Sequence, residues 1–80
     1  MRLPTLTGRE LDVLVLASEG STNAKIGEEL GIAVRTVDSH LARIYSKLCE
    51  ANPDARHVPR RRAIMLFGRE LQAMPWPGAA

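Results

Sequence analysis

Apolar residues recur at helical spacing in four stretches of this chain, each closed by a glycine, a proline or a polar run. In the first, Leu11, Val13, Leu14, Leu16 and Ala17 form a stripe. Thr7 and Glu10 stand at the spacing of a capping box, and Gly20 supplies a stop, which predicts a helix over about 8–19. The second is short. Thr22 can cap it, Ala24, Ile26, Gly27 and Leu30 give it a buried side, and Gly31 ends it. A helix of barely two turns does not hold in water alone, so this one must pack against its neighbours. In the third, Val37, Leu41, Ile44 and Leu48 fall at i, i+4, i+7 and i+11, a single helical face over about 34–50. Arg35, Asp38, Ser39, Ala42, Arg43, Ser46 and Lys47 occupy the rest of that helix. Residues 49–59, with Pro53 and Pro59, read as a loop. A fourth helix follows over about 60–73, with Ala63, Ile64, Phe67, Leu71 and Met74 on one face and Met65 and Leu66 widening the apolar surface. The tail 74–80 is non-helical. The expectation is one all-α domain of four helices over residues 1–80.

Length then narrows the chemistry. Eighty residues bury a thin core, which leaves little room for a deep pocket and disfavours catalysis. No nucleophile–base pair, metal cluster or phosphate loop appears, so neither cofactor nor metal is expected. The lone Cys49 cannot form an internal disulfide and reads as a small, partly buried, reduced side chain. The N-terminus carries no signal-type apolar run, and no stretch has the 18 apolar residues of a membrane span, which points to the cytoplasm.

The formal charge is only +2, but it is unevenly placed. Residues 1–50 hold six Lys/Arg against seven acids, whereas residues 51–80 hold five Arg against two. Arg56, Arg60, Arg61 and Arg62 carry most of that excess. They read equally well as a solvated loop and as a basic arm that touches phosphates.

The junction of the second and third helices carries the sharpest pattern. Counted as twenty positions from Asn23 to Ala42, a helix-turn-helix needs a small residue at the fifth, where the helices approach closely, and finds Gly27. It needs a residue tolerant of positive φ at the ninth, and finds Gly31. It needs apolar side chains at the fourth, eighth, tenth, fifteenth and eighteenth, and finds Ile26, Leu30, Ile32, Val37 and Leu41. Ordinary helical hairpins share some of these features, so the pattern favours a DNA-binding motif without excluding a plain hairpin.

The wording of the residues goes further. From Leu6 to Leu48 the chain resembles the LuxR-type (FixJ/GerE-type) DNA-binding domain. Leu6, Thr7, Arg9, Glu10, Val13 and Leu14 match its first block, L-T-x-R-E-x-x-V-L. Gly20, Thr22, Asn23, Ile26 and Gly27 match its second. Leu30, Ile32, Thr36, Val37, His40, Ile44, Lys47 and Leu48 match its third. Two departures stand out. Ala33 replaces the serine that usually caps the third helix, which costs typically about 1 kcal/mol and leaves N–H groups that a phosphate would satisfy. The connection over 49–59 is also longer than the family's usual link to the fourth helix.

The resemblance implies double-stranded DNA as a partner, with the third helix in the major groove. By position, Asp38, Ser39 and Ala42 face base edges, and Lys25, Arg35, Thr36, Arg43 and Lys47 form the phosphate set. Asp38 has two readings: it accepts a hydrogen bond from a cytosine amino group, or it sits in solvent or pairs with Arg35 or Arg43. His40 reads as structural with a phosphate contact left open, and Tyr45 as half-buried with its hydroxyl at the rim. Four Lys/Arg against three acids between Asn23 and Lys47 are few for one domain on DNA, so a homodimer or the arginine arm is needed to add contacts. The resemblance places dimerisation on the fourth helix, with Ile64, Met65, Leu66 and Phe67 as candidate interface residues. Trp76 either adds to that surface or covers the core.

Two other functions remain to be weighed. One is a promoter reader like the −35-binding region of sigma factors, which also opens with an L-T-x-R-E helix. The other is a protein-interaction module that keeps the fold and has lost DNA, favoured by Ala33, by Asp38 and by the acidic balance of residues 1–50. With Met1 a few residues ahead of the motif, the chain reads either as a stand-alone regulator or as a fragment.

Overall fold

The computed structural model describes Arg2 and residues 4–73. Four α-helices follow in order: α1 (Gly8–Ser18), α2 (Asn23–Leu30), α3 (Val34–Ala51) and α4 (Arg60–Ala73). Among the described residues there is no strand. The all-α, four-helix expectation therefore holds. Met74 and Trp76, and with them the non-helical tail, lie outside the described residues.

The helix ends follow from local chemistry. Thr7 accepts from the Glu10 N–H at 3.2 Å while the Thr7 N–H donates to the Glu10 carboxylate at 2.9 Å, so the capping box is complete. At the other end of α1, Gly20 stands at φ 90°, and the Ser21 N–H reaches back to the Leu16 carbonyl at 3.2 Å. Thr22 caps α2 by accepting from the Lys25 N–H at 3.1 Å. Gly31, at φ 67°, ends α2 in the left-handed region, and the Ile32 N–H returns to the Gly27 carbonyl at 2.9 Å. The start of α3 is different: Ala33 provides no side-chain cap.

The core is a single cluster drawn from all four helices. Val13, Leu14 and Ala17 of α1 meet Ile26 of α2, the Val37–Leu41–Ile44–Leu48 stripe of α3, and Ala63, Ile64 and Phe67 of α4. Each of the eight largest, fully buried side chains comes from a position on one of the four stripes. Two glycines set the closest approaches. A Cβ on Gly27 would lie 2.7 Å from the Ile32 carbonyl oxygen, so the turn into α3 admits nothing larger. A Cβ on Gly68 would run into the Cβ of Ser18, where α4 crosses α1. Ser18 fills this notch by donating to the Val15 carbonyl at 2.8 Å and accepting from Gln72 at 3.2 Å.

Two expectations change here. The 49–59 connection is mostly ordered helix: α3 runs on to Ala51, one residue past its expected end, and Pro53–His57 form a short 3₁₀ helix. The Tyr45 hydroxyl faces the carbonyls of Val58, at 3.1 Å, and Ala55, at 3.3 Å, and so staples this turn onto α3. Burial pushes the Tyr45 hydroxyl up, the neighbouring Cys49 adds to the rise and Arg56 opposes it, so the group stays a neutral donor. The second change concerns α4. Ile64 and Phe67 are 1% and 0% exposed, because they face α1 and α3 inside the core. They therefore leave the candidate dimer interface, where Leu66 (45% exposed) and the partly buried Met65 remain.

Candidate nucleic-acid interface

The inner stripe of α3 locks the helix to the core, and its remaining positions form two outward ridges at a stride of four. One ridge runs Val34, Asp38, Ala42, and the other Arg35, Ser39, Arg43. All six are exposed, as are Thr36 and Lys25, the latter in the first turn of α2. The three residues expected to face base edges and four of the five expected to meet phosphate thus share the solvent side of the helix-turn-helix. Lys25, Arg35 and Arg43 make no side-chain hydrogen bond or ion pair with any described residue. The Ser39 hydroxyl donates to the Arg35 carbonyl at 3.1 Å, which holds it on the helix but leaves its oxygen able to accept.

Lys47, the fifth expected phosphate ligand, is elsewhere. Its ammonium lies 2.7 Å from the Glu10 carboxylate, which is only 3% exposed. Glu10 is already held by the capping box, so Lys47 ties the C-terminal half of α3 to the start of α1. Burial pushes the Glu10 carboxyl up, but the hydrogen bond from Lys47, the backbone N–H of Thr7 and the Lys47 charge together hold it below its ordinary value of 4.5. Lys47 is therefore engaged in holding α3 to α1, unlike the other four residues expected to meet phosphate.

The arginine arm is likewise redistributed. Arg56 sits in the 3₁₀ turn near Tyr45, whereas Arg60, Arg61 and Arg62 form the first turn of α4, where the fourth helix was expected to begin. Arg61 donates to the Ser21 carbonyl at 3.0 Å and lies 3.5 Å from the Asn23 side-chain oxygen, across the entrance to α2. Arg60 donates to Asp38 at 2.7 Å, on the exposed side of α3. The partner of Asp38 is thus Arg60 rather than Arg35 or Arg43 on its own helix, and the Asp38 side chain stays 52% exposed. His40 is half-buried, and its Nδ1 has no hydrogen-bond partner.

Sequence spacing missed one surface residue, Val34, and one pairing, that of Arg60 with Asp38. Val34 is a large apolar side chain left 50% exposed at the first position of α3. Its signal was available: it stands four residues before Asp38 on the same ridge. Arg60 was expected in the basic arm, but its pairing with Asp38 had no local signal, since the two lie 22 residues apart in sequence.

No described helix is long and apolar enough to cross a membrane. No solved structure matches the chain significantly. Known sequences do. Residues 4–53 match the family described as bacterial regulatory proteins, luxR family. The transcriptional regulatory protein LiaR of Bacillus subtilis is 54% identical over 44 residues, covering 55% of this chain and 21% of that protein. The regulator TdiR of Thauera aromatica is 44% identical over 60 residues, covering 74% and 26%. The HTH-type regulator MalT of Vibrio campbellii is 35% identical over 68 residues, covering 85% of this chain but 8% of that protein. The chain therefore spans about a quarter or less of each of these relatives, which are regulators of transcription rather than enzymes. With the glycine turn, the divided α3 and the family match in agreement, the chain belongs to the luxR family of bacterial regulatory proteins and carries the DNA-binding domain of a transcriptional regulator.

Proposed function

We propose that this chain binds duplex DNA in the cytoplasm with α3 lying in the major groove, as one half of a homodimer. The observation that carries this reading is the divided surface of α3. One face is buried to the last side chain, and the other holds Arg35 and Arg43, which like Lys25 of α2 have no partner among the described residues. Exposed cations on a helix whose other face is locked in the core suit the phosphates on either side of the groove. Between them, Ser39 offers a hydroxyl, Ala42 and Val34 offer methyl groups suited to thymine, and Asp38 offers an acceptor for cytosine. The uncapped N-terminus of α3 leaves backbone N–H groups for the same backbone phosphates. Neither the sigma-like reading nor the protein-interaction module is favoured by the family match.

The dimer rests on α4. Leu66 lines an open groove of about 410 Å³ with Leu48, Ala51, Val58 and Ala63, a mainly apolar surface edged by Arg2, Asn52 and Asp54 and left uncovered by the described chain. A second copy supplies the added phosphate contacts that three free cations alone do not. Leu66→Glu is expected to leave a folded monomer by sedimentation equilibrium and to weaken DNA binding. An unchanged oligomeric state would remove α4 from the interface.

The direct test is affinity for duplex DNA across salt concentrations, for the wild type and for Lys25→Ala/Arg35→Ala/Arg43→Ala. Each phosphate contact contributes about 0.9 to the slope of log affinity against log salt. The triple variant should lose about 2–3 units per protomer while its melting curve stays in place. A wild type whose binding ignores salt, or a triple variant with an unchanged slope, contradicts the proposal.

A further inference from the structure

Asp38 poses a problem that the DNA-binding reading does not answer by itself. A carboxylate on a surface that meets phosphates is repelled by them. Here it is covered from another element. Arg60, the first residue of α4, places Nη2 2.7 Å from Asp38 Oδ1, with the two side chains 44% and 52% exposed. An ion pair this open to water adds little to folding. Its placement is nonetheless held firmly: the Tyr45 hydroxyl, on the carbonyls of Ala55 and Val58, fixes the connection up to two residues before Arg60.

The local setting of Arg60 runs against helix preference. Arg60, Arg61 and Arg62 fill the first turn of α4, where the helix dipole disfavours cations, and no acid stands in that turn to offset them. Such a sequence-level conflict is expected where function requires it. The anion that answers Arg60 is on α3. Asp38 uses Oδ1 for Arg60, and its Oδ2 has no hydrogen bond to any described residue.

We infer that Arg60 is a positioning residue for sequence reading: it neutralises Asp38 against the phosphates and orients the carboxylate so that Oδ2 faces the base edges, where it accepts from a cytosine amino group. This rests on the proposed placement of α3 in the major groove. Exclusion of water at that surface strengthens the pair, because the same charges attract more strongly in a lower dielectric. The extended connection between α3 and α4 then has a purpose, since it sets where α4 begins.

The test is a double-mutant cycle on DNA binding with the whole 80-residue chain, using a randomised duplex pool followed by single-base variants of the selected sequence. Arg60→Ala should weaken binding roughly tenfold, because it leaves Asp38 uncovered against like charge. Arg60→Lys should restore most of the affinity. Asp38→Ala/Arg60→Ala should bind better than Arg60→Ala alone. The wild type should select cytosine at one position per half-site, a preference absent from both Arg60→Ala and Asp38→Ala. Melting curves of all variants should overlay, which separates reading from folding. Arg60→Ala that binds and selects as the wild type does overturns the inference. So does an equal loss from Arg60→Ala in the Asp38→Ala background, which would make Arg60 an independent phosphate contact. Failure of the wild type to bind any duplex would instead remove the proposed function, and this inference with it.

Discussion

Two ion pairs anchor on α3 with the same 2.7 Å separation, and they do different work. Lys47 meets Glu10 on the inner side of the helix, where the carboxylate is nearly buried and also closes the capping box of α1. Arg60 meets Asp38 on the outer side, where both groups remain in water. Distance alone would rank them as equals. Burial separates them: losing one partner of the inner pair strands a charge away from solvent, whereas losing one partner of the outer pair returns the other to water. The inner side of α3 therefore governs whether the protein folds, and the outer side what it meets when folded.

Substitutions that break this division should rank in the same order. The largest loss is expected from Ile44→Ala, which removes a fully buried side chain from the core stripe. About 3 kcal/mol should disappear from the unfolding free energy in urea, a large fraction for a domain of this size. Gly68→Ala comes next. Its Cβ meets Ser18 on a packed helix crossing, so α4 must shift, at a cost of about 1–3 kcal/mol by the same measurement.

Lys47→Met should cost roughly 2 kcal/mol near neutral pH, and it also sharpens the comparison through pH. In the wild type the Glu10 carboxyl sits below 4.5, so its stabilising contribution is complete above that value and is lost as acid titrates through the lower, folded value. Without Lys47, burial is opposed only by Thr7, and the loss should begin at higher pH. Parallel denaturation curves of the two proteins between neutral pH and acid will show that shift. The smallest effect on folding should come from Arg60→Ala, within about 0.5 kcal/mol of the wild type.

The parts of this fold that could be read in the sequence are those decided within a few residues. The Thr7–Glu10 box, the Gly31 turn, the tight fit at Gly27 and the α3 stripe all depend on neighbours at most one or two turns away. What escaped depends on how the helices dock. The periodicity of α4 set Ile64 and Phe67 on one face and Leu66 beside it, but with apolar residues on more than one side it did not say which of them meets the core and which is left for a partner. Lys47 and Arg60 carry the same charge as the proposed phosphate ligands, and only partners 37 and 22 residues away in sequence show that one meets a buried acid and the other an exposed one. The candidate DNA surface was legible as a helix and a face, but its charge pattern required the packed molecule.

The most direct test of that division compares Arg43→Ala with Lys47→Ala, each measured for duplex DNA affinity across salt and for thermal unfolding. Arg43→Ala should lose about one unit of salt slope and keep its melting temperature. Lys47→Ala should melt several degrees lower and keep its slope. If Lys47→Ala instead loses slope with its stability intact, or Arg43→Ala melts early with its slope intact, the assignment of the two sides of α3 is wrong.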